Sequence, residues 1–371
     1  MMKNSIFVLF FLFLSIQAYS EQVIPVFKDV LFFDGYAPLV SDSVYEEYAG
    51  KLPDAGVIRH KNSSYAVKLT KEQLSKFGDN IVMNVFINPV CDNYDRLANI
   101  SLAMVPKGQN SYSPTEVNRY EIGRFITPFM DKNKTFQPAS YSFNLNYLSP
   151  VFRDKKLLSQ YDYWIEFEVF GVPYAANKEI AGCEGRSDVF FGSLEFVSPA
   201  APAKKGKGLV LMPLLFKYQL NNYKEESTDE LGKTIKSVKF SLDKNVRNAR
   251  LVLITSNHGA NSGGEEYNRR MHYIRFDNEL MLEYKPGRRS CEPFRHFNTQ
   301  RNGIYGRSEK TDEQWQAFSN WCPGDVIDTR IIELGNLKAG EHEFMIEVPE
   351  AQFVDKQGYI PVSLYLLGNA K

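Results

Sequence analysis

Side chains able to act as acids or bases gather in three short stretches. The densest is Cys91-Asp-Asn-Tyr-Asp-Arg96, in a turn-rich break between two apolar runs within residues 80–105. The second is Trp164-Ile-Glu-Phe-Glu-Val-Phe170, where Glu166 and Glu168 fall on one face of a strand, because strand side chains alternate. The third is Asn261-Ser-Gly-Gly-Glu-Glu-Tyr-Asn-Arg-Arg-Met-His272, which follows Asn257-His258-Gly259. Carboxylates held on loops of a rigid scaffold can serve as general bases. Each stretch also has a plainer reading: an Asp/Asn turn capping its own backbone, an exposed strand glutamate, and a glycine-rich connection.

Other chemistries fit poorly. Asp92 and Asp95 lack the glycine and terminal glutamate of an EF-hand loop. The four cysteines, Cys91, Cys183, Cys291 and Cys322, show no C-x-x-C spacing, so no zinc site is expected. No Gly-x-Ser-x-Gly elbow is present, which argues against a serine hydrolase. In an exported chain the cysteines are expected as disulfides rather than nucleophiles. Of three possible connectivities, Cys91–Cys183 and Cys291–Cys322 keep each bridge within one half of the chain.

The elements that must position these groups read as strands. Lys3, the apolar run 6–16 and Ala18-Tyr19-Ser20 form a signal-peptide pattern over residues 1–20, so a secreted or periplasmic protein is expected. No stretch is long enough for a transmembrane helix. Lys plus Arg equals Asp plus Glu, 44 each, which argues against nucleic acid or an acidic membrane as partner. Aromatic residues make up 14% of the chain, and they suit both β-strands and sugar stacking. Short apolar runs recur at 120–127, 162–171, 189–197, 235–242, 249–255, 271–276, 330–334, 342–348 and 360–367. Helices are expected only at 70–76 and 312–318. The apolar-free stretch Ser198-Pro-Ala-Ala-Pro-Ala-Lys-Lys-Gly-Lys-Gly208 cannot join a core. It divides an N-terminal domain, 21–198, from a C-terminal domain, 209–371, with 199–208 as linker. The expectation is an all-β protein of two adjacent antiparallel sandwiches with a groove between them.

Three islands carry a family resemblance. Cys91-Asp-Asn-Tyr-Asp-Arg-Leu-Ala-Asn-Ile100, Tyr120-Glu-Ile-Gly-Arg-Phe-Ile-Thr-Pro-Phe129 and Trp321-Cys-Pro-Gly-Asp-Val-Ile-Asp-Thr-Arg330 resemble, in order, segments of the peptide-N-glycosidase F family. The resemblance implies two eight-stranded jelly rolls with a site at their interface. It also implies hydrolysis of the β-aspartylglucosaminyl amide of N-linked glycoproteins, with no cofactor and no metal. An amide is a poor electrophile with a poor leaving group, so a positioned base and a proton source are needed. Asp95 matches the family's primary catalytic aspartate, base or nucleophile, with Glu168 and Glu266 as the supporting carboxylates. Arg96, Asp92, Tyr94, His258, Tyr267, Arg270 and Trp321 are assigned to substrate binding, and a monomer is the expected state.

This chain departs from the family pattern at three places. Phe318 replaces a substrate-holding arginine, Ser256 replaces a tryptophan, and a cysteine pair flanking the second glutamate is missing, with Glu265 and Asn268 nearby instead. Cys183, in an insertion, is expected to clamp the Asp95 loop from a distance. The alternative is a non-catalytic N-glycan-binding protein on the same fold. Copper monooxygenases share the look of a jelly-roll pair, but they need clustered His and Met ligands. The five histidines, His60, His258, His272, His296 and His342, include no His-x-His pair.

Overall fold

A computed structural model describes residues 21–199, 208–302, 304–317 and 319–370. The signal-peptide segment, nearly all of the linker and Phe318 lie outside the described residues. The first half contributes β1 (Glu21–Phe33), β2 (Val57–Lys61), β3 (Ser64–Lys68), β4 (Val82–Pro89), β5 (Leu97–Pro106), β6 (Asn118–Ile126), β7 (Ala139–Asn144), β8 (Tyr161–Val169) and β9 (Asp188–Pro199). The second contributes β10 (Leu209–Leu220), β11 (Ile235–Leu242), β12 (Val246–Thr255), β13 (His272–Phe276), β14 (Glu279–Tyr284), β15 (Val326–Ile327), β16 (Thr329–Leu337), β17 (Gly340–Glu347) and β18 (Ile360–Ala370). All named pairings are antiparallel.

In the first half, sheet β1-β9-β4-β7 faces sheet β15-β6-β5-β8-β3-β2. Their apolar faces share one core that includes Phe32, Met83, Ile100, Phe167 and Phe196. In the second half, β10-β18-β12-β16 and β11-β17-β13-β14 enclose a core around Leu251, Ile274, Phe344 and Leu364. Two antiparallel sandwiches are therefore present, as expected. Among the described residues the second has eight strands; the first has nine of its own, because the β2–β3 hairpin extends its larger sheet, and it borrows β15.

Burial along the strands shows how the halves are joined. On β9, buried and half-buried residues alternate, as on a sheet with one covered face. On β5 eight consecutive residues from Ala98 to Val105 are buried, so its outer face is covered too. One cover is the second sandwich, whose Val252, Tyr365 and Leu367 belong to the first core. The Tyr120 and Tyr365 rings meet edge to face at 5.4 Å.

The same contact holds a buried ion pair. Arg124 donates to Glu121 through Nε at 2.8 Å and Nη2 at 2.7 Å, and to the Pro361 carbonyl through Nη1 at 2.8 Å. Ser363 Oγ also bonds Glu121, and the Arg124 and Glu121 side chains are 1% and 0% exposed. Residues three apart on a regular strand point to opposite faces. Here Ile100 pairs with Gly123 but Ser101 pairs with Glu121, so Ile122 is an extra residue. That bulge turns Glu121 and Arg124 toward one face. Gly123 keeps the bulge packed, since a Cβ there would lie 2.8 Å from Met83 Cε.

Candidate active site

The loop from Cys91 to Arg96 leaves β4 and enters β5 at the end of the first sandwich that faces the second. Its start is fixed by the Cys91–Cys183 disulfide, the distant clamp expected from sequence. Its interior is fixed by Asp92. That carboxylate, 1% exposed, accepts from Tyr94 N at 3.0 Å, Val172 N at 2.7 Å and Arg96 Nε and Nη2 at 2.6 and 3.1 Å. Bidentate arginine pairing sets geometry as well as energy. Asp92 is thus spent inside the loop and is not on the cavity wall, so the structure gives it a bracing place instead of the substrate contact expected for it.

The cavity, about 430 Å³, opens between the sandwiches and is lined by Asp95, Arg96, Tyr94, His258, Glu266, Tyr267 and Trp321 among others. Seven of the residues predicted for the site are therefore brought together. Asp95 Oδ2 is shut from water and has no hydrogen-bond partner among the described residues. Burial, reinforced by the charge of Glu266, pushes the Asp95 carboxyl up to about 8. Burial also raises Glu266, against hydrogen bonds from the Gly259 N–H and the Tyr267 hydroxyl that favour its charged form. Tyr267 is itself pushed up to about 12 by burial and by these two carboxylates, so it remains a hydrogen-bond donor. The nearby Glu266 charge opposes ionisation of the buried Asp95, which therefore holds its proton around neutral pH.

The Glu266 loop is braced from below. Glu265, fully buried, binds Arg270 Nη2 at 3.1 Å and the Gln352 N–H at 2.8 Å. Asn320 donates to the Glu265 and Glu266 carbonyls at 2.5 and 2.9 Å. Arg270 therefore sits behind the loop, off the cavity wall, contrary to its expected substrate contact. Glu168 is also off this wall. It points from β8 to Lys217 Nζ, 2.8 Å away; burial is the largest influence and would raise it, but Lys217, with the charges of Arg119 and Lys61, together hold it below the usual range. Its neighbour Glu166 is taken by Tyr112 and Arg119, so the two strand glutamates that alternation left equivalent differ in their partners. The expected three-carboxylate group is in this structure a pair, with Glu168 apart.

The opposite wall was missed in the sequence. Gln300, Arg301, Asn302 and Ile304 line the cavity, on the stretch between Cys291 and Cys322, which are joined in a disulfide. Its only sequence signal is the polar run Thr299-Gln-Arg-Asn302 inside that cysteine pair. Trp321, beside Cys322, is 6% exposed and stacks on His258 at 6.1 Å. Replacing both Cys291 and Cys322 by Ser is expected to cost about 2–4 kcal/mol and to raise KM more than it lowers kcat, because the wall loosens while the carboxylates stay. Denaturant unfolding together with a kinetic series checks both parts; an unchanged KM would contradict it.

The comparisons with known proteins bear on the family and the fold. Residues 23–185 match the family description "Peptide-N-glycosidase F, N terminal", and residues 224–367 match "Peptide-N-glycosidase F, C terminal". The chain belongs to the peptide-N-glycosidase F family. Among curated proteins none matches it significantly. Among solved structures it resembles PNGF-II, with a TM-score of 0.64 and 20% identity over 95% of this chain, which spans 66% of that longer protein. It also resembles PNGase F of Flavobacterium meningosepticum, described as a glycosylasparaginase, with a TM-score of 0.55 and 16% identity over 95% of this chain and 96% of the other. At such identities these likenesses speak to fold. With the family membership they support a glycanase of the peptide-N-glycosidase F family on a two-domain β-sandwich fold.

Proposed function

We propose that this chain hydrolyses the β-aspartylglucosaminyl amide of N-linked glycoproteins or glycopeptides, releasing the whole glycan and leaving aspartate in the peptide. The observation that carries this reading is the Asp95–Glu266 pair: Asp95 Oδ2 is buried without a partner, and the Glu266 charge helps raise its pKa to about 8. In the resting pair the proton sits on Asp95. The charge sits on Glu266, which has the Gly259 and Tyr267 donors.

The geometry supports a direct hydrolysis. Glu266 takes a proton from water as its oxygen adds to the side-chain amide carbon, and the Arg96 guanidinium on the cavity wall stabilises the charge that develops on the carbonyl oxygen. Arg96 Nη1 makes no hydrogen bond among the described residues, while Nε and Nη2 are tied to Asp92. When the carbon–nitrogen bond breaks, Asp95 delivers its proton to the departing nitrogen. The products are a glycosylamine and an aspartate, and the proton on Glu266 returns the pair to its starting state. Tyr94, 40% exposed, and Trp321 offer aromatic faces to the sugar. The signal-peptide pattern and the two disulfides support a secreted or periplasmic site of action. Domains of 21–198 and 209–371, acting as a monomer, complete the proposal.

This assignment predicts the pH profile. Asp95 must be protonated to act, so kcat/KM is expected to fall above about pH 8. In Glu266→Gln the neighbouring charge that helps raise Asp95 is gone, so any residual activity should lose its alkaline limb at lower pH. A limb that moves up or stays put would contradict the coupling. The function itself is tested with a defined N-glycopeptide and purified mature protein, followed by mass spectrometry for the ~1 Da gain of asparagine becoming aspartate. Binding of the glycopeptide without release from any glycan class would favour the non-catalytic glycan-binding alternative.

A further inference from the structure

His258 lies on the cavity wall beside two aromatic rings. Its ring centroid is 6.1 Å from that of Trp321 and 6.2 Å from that of Tyr359, and the His258 backbone is pinned by reciprocal hydrogen bonds with Tyr359 at 3.0 and 2.9 Å. Its Nε2 is 2.8 Å from Ser256 Oγ. Ser256 Oγ is in turn 2.9 Å from Arg124 Nη1, the guanidinium of the buried pair that joins the sandwiches. A hydrogen-bonded chain therefore runs from Ser363 through Glu121, Arg124 and Ser256 to the cavity.

The donors in this chain fix its direction. Arginine can only donate, so Ser256 Oγ accepts from Arg124. The serine hydroxyl proton must then find its own acceptor, in a residue 2% exposed. Nε2 of His258 is the acceptor within reach among the described residues. A proton on Nε2 instead would leave the hydroxyl proton buried without a partner, which is unfavourable. The imidazole is also neutral, since burial and the Arg124 charge push it down to about 3. A neutral ring that accepts at Nε2 carries its proton on Nδ1.

We propose that Arg124 and Ser256 are positioning residues that hold His258 as the Nδ1–H tautomer, so that this N–H donates to a carbonyl or hydroxyl oxygen of the bound glycopeptide. The inference rests on the amidase reading for its substrate, though the tautomer itself does not. Ser256 stands where the family resemblance leads one to expect tryptophan, so the device is a property of this chain rather than of the family pattern. It links the sandwich interface to the site: the pair that joins the two halves also sets which ring nitrogen carries the proton.

The test uses the full mature protein with nitrogen-labelled histidine. NMR of the wild type is expected to show His258 with an unprotonated, pyridine-type Nε2 and a protonated Nδ1 whose resonance moves when a chitobiosyl-asparagine peptide is added. A protonated Nε2, or a Nδ1 signal indifferent to the ligand, overturns the proposal whether or not the protein releases glycans. Ser256→Ala should lose the tautomer preference and lower kcat/KM by about tenfold, the scale of one lost buried hydrogen bond, with a lower thermal midpoint because the buried Arg124 Nη1 loses one acceptor. Ser256→Thr, which keeps the hydroxyl, should recover the tautomer and the rate. A Ser256→Ala protein that keeps the Nδ1–H tautomer also overturns the role given to Ser256.

Discussion

Asp95→Asn is expected to lose glycan release by about 10²–10⁴-fold and, at the same time, to become more stable than the parent in alkaline solution. The first effect follows because asparagine has no acidic proton to give the departing nitrogen. The second follows from the burial that makes Asp95 reactive. Its folded-state pKa, about 8, lies above the unfolded value of about 3.9. Between those two values the folded chain holds a proton that the unfolded chain has released. Stability therefore falls as pH rises through that window, and the loss is complete above about 8. Asparagine has no charge to bury at any pH. The variant should match the parent near pH 4 and exceed it by about 1 kcal/mol or more at pH 9, as read by denaturant unfolding at both pH values. Equal stabilities at pH 9 would mean that Asp95 is not held protonated by the fold, and Asp95 could not then be the acid.

Arg124→Ala should be the most destabilising single substitution at the sandwich interface. It removes the sole cation bonded to Glu121 among the described residues, leaving that carboxylate at 0% exposure with only Ser363. Breaking a buried pair from one side costs about 3–5 kcal/mol, because the remaining charge is stranded. Replacing both members by apolar or neutral groups is far milder. Glu121→Gln combined with Arg124→Met should therefore recover most of the loss, and the two changes should be strongly non-additive in unfolding free energy. The recovered double variant should still be impaired in turnover, since Ser256 no longer has its donor. A double variant as unstable as Arg124→Ala would show that packing of the arginine, and not its charge, holds the halves together.

The sequence is most transparent where chemistry and local structure coincide. The Asp95 loop is a polar run between two apolar ones, and the β4–loop–β5 unit appears where that pattern places it. The short helices Lys71–Ser75 and Asp312–Gln316 are announced by Thr70 and Thr311, each closing a capping box. The long terminal strands β1 and β10 escape notice because register shifts at Phe27 and at Leu215 interrupt their alternation. The Glu121–Arg124 pair is hidden for a related reason. Its members are three residues apart, and only the bulge at Ile122 puts them on one face. Strand β15 is two residues long, too short for any periodicity, yet it stitches the second half onto the first sandwich through β6. Glu168 shows the limit of alternation: it identifies the face of β8, while the partner that occupies the side chain, Lys217, comes from β10, 49 residues away.

Arg96 and Asp92 illustrate a different gap. Neighbouring polar residues in one loop look alike in sequence, and the backbone N–H groups of Tyr94 and Val172 decide that Asp92 supports while Arg96 faces the cavity. The cavity's far wall at Gln300–Ile304 is illegible for the same physical reason, since a loop held by a disulfide follows no hydrophobic period.

In the proposed reaction the Asp95–Glu266 pair adds water across the glycan–asparagine amide. A single turnover in heavy-oxygen water with a defined N-glycopeptide tests it most directly. This reaction predicts that the peptide product carries one heavy oxygen in a new aspartate, that the glycan leaves whole as a glycosylamine without the label, and that Asp95→Asn gives neither product while still binding the glycopeptide. A peptide that keeps one N-acetylglucosamine on an unchanged asparagine, with the label on the released sugar, would place the cut inside the glycan and contradict it.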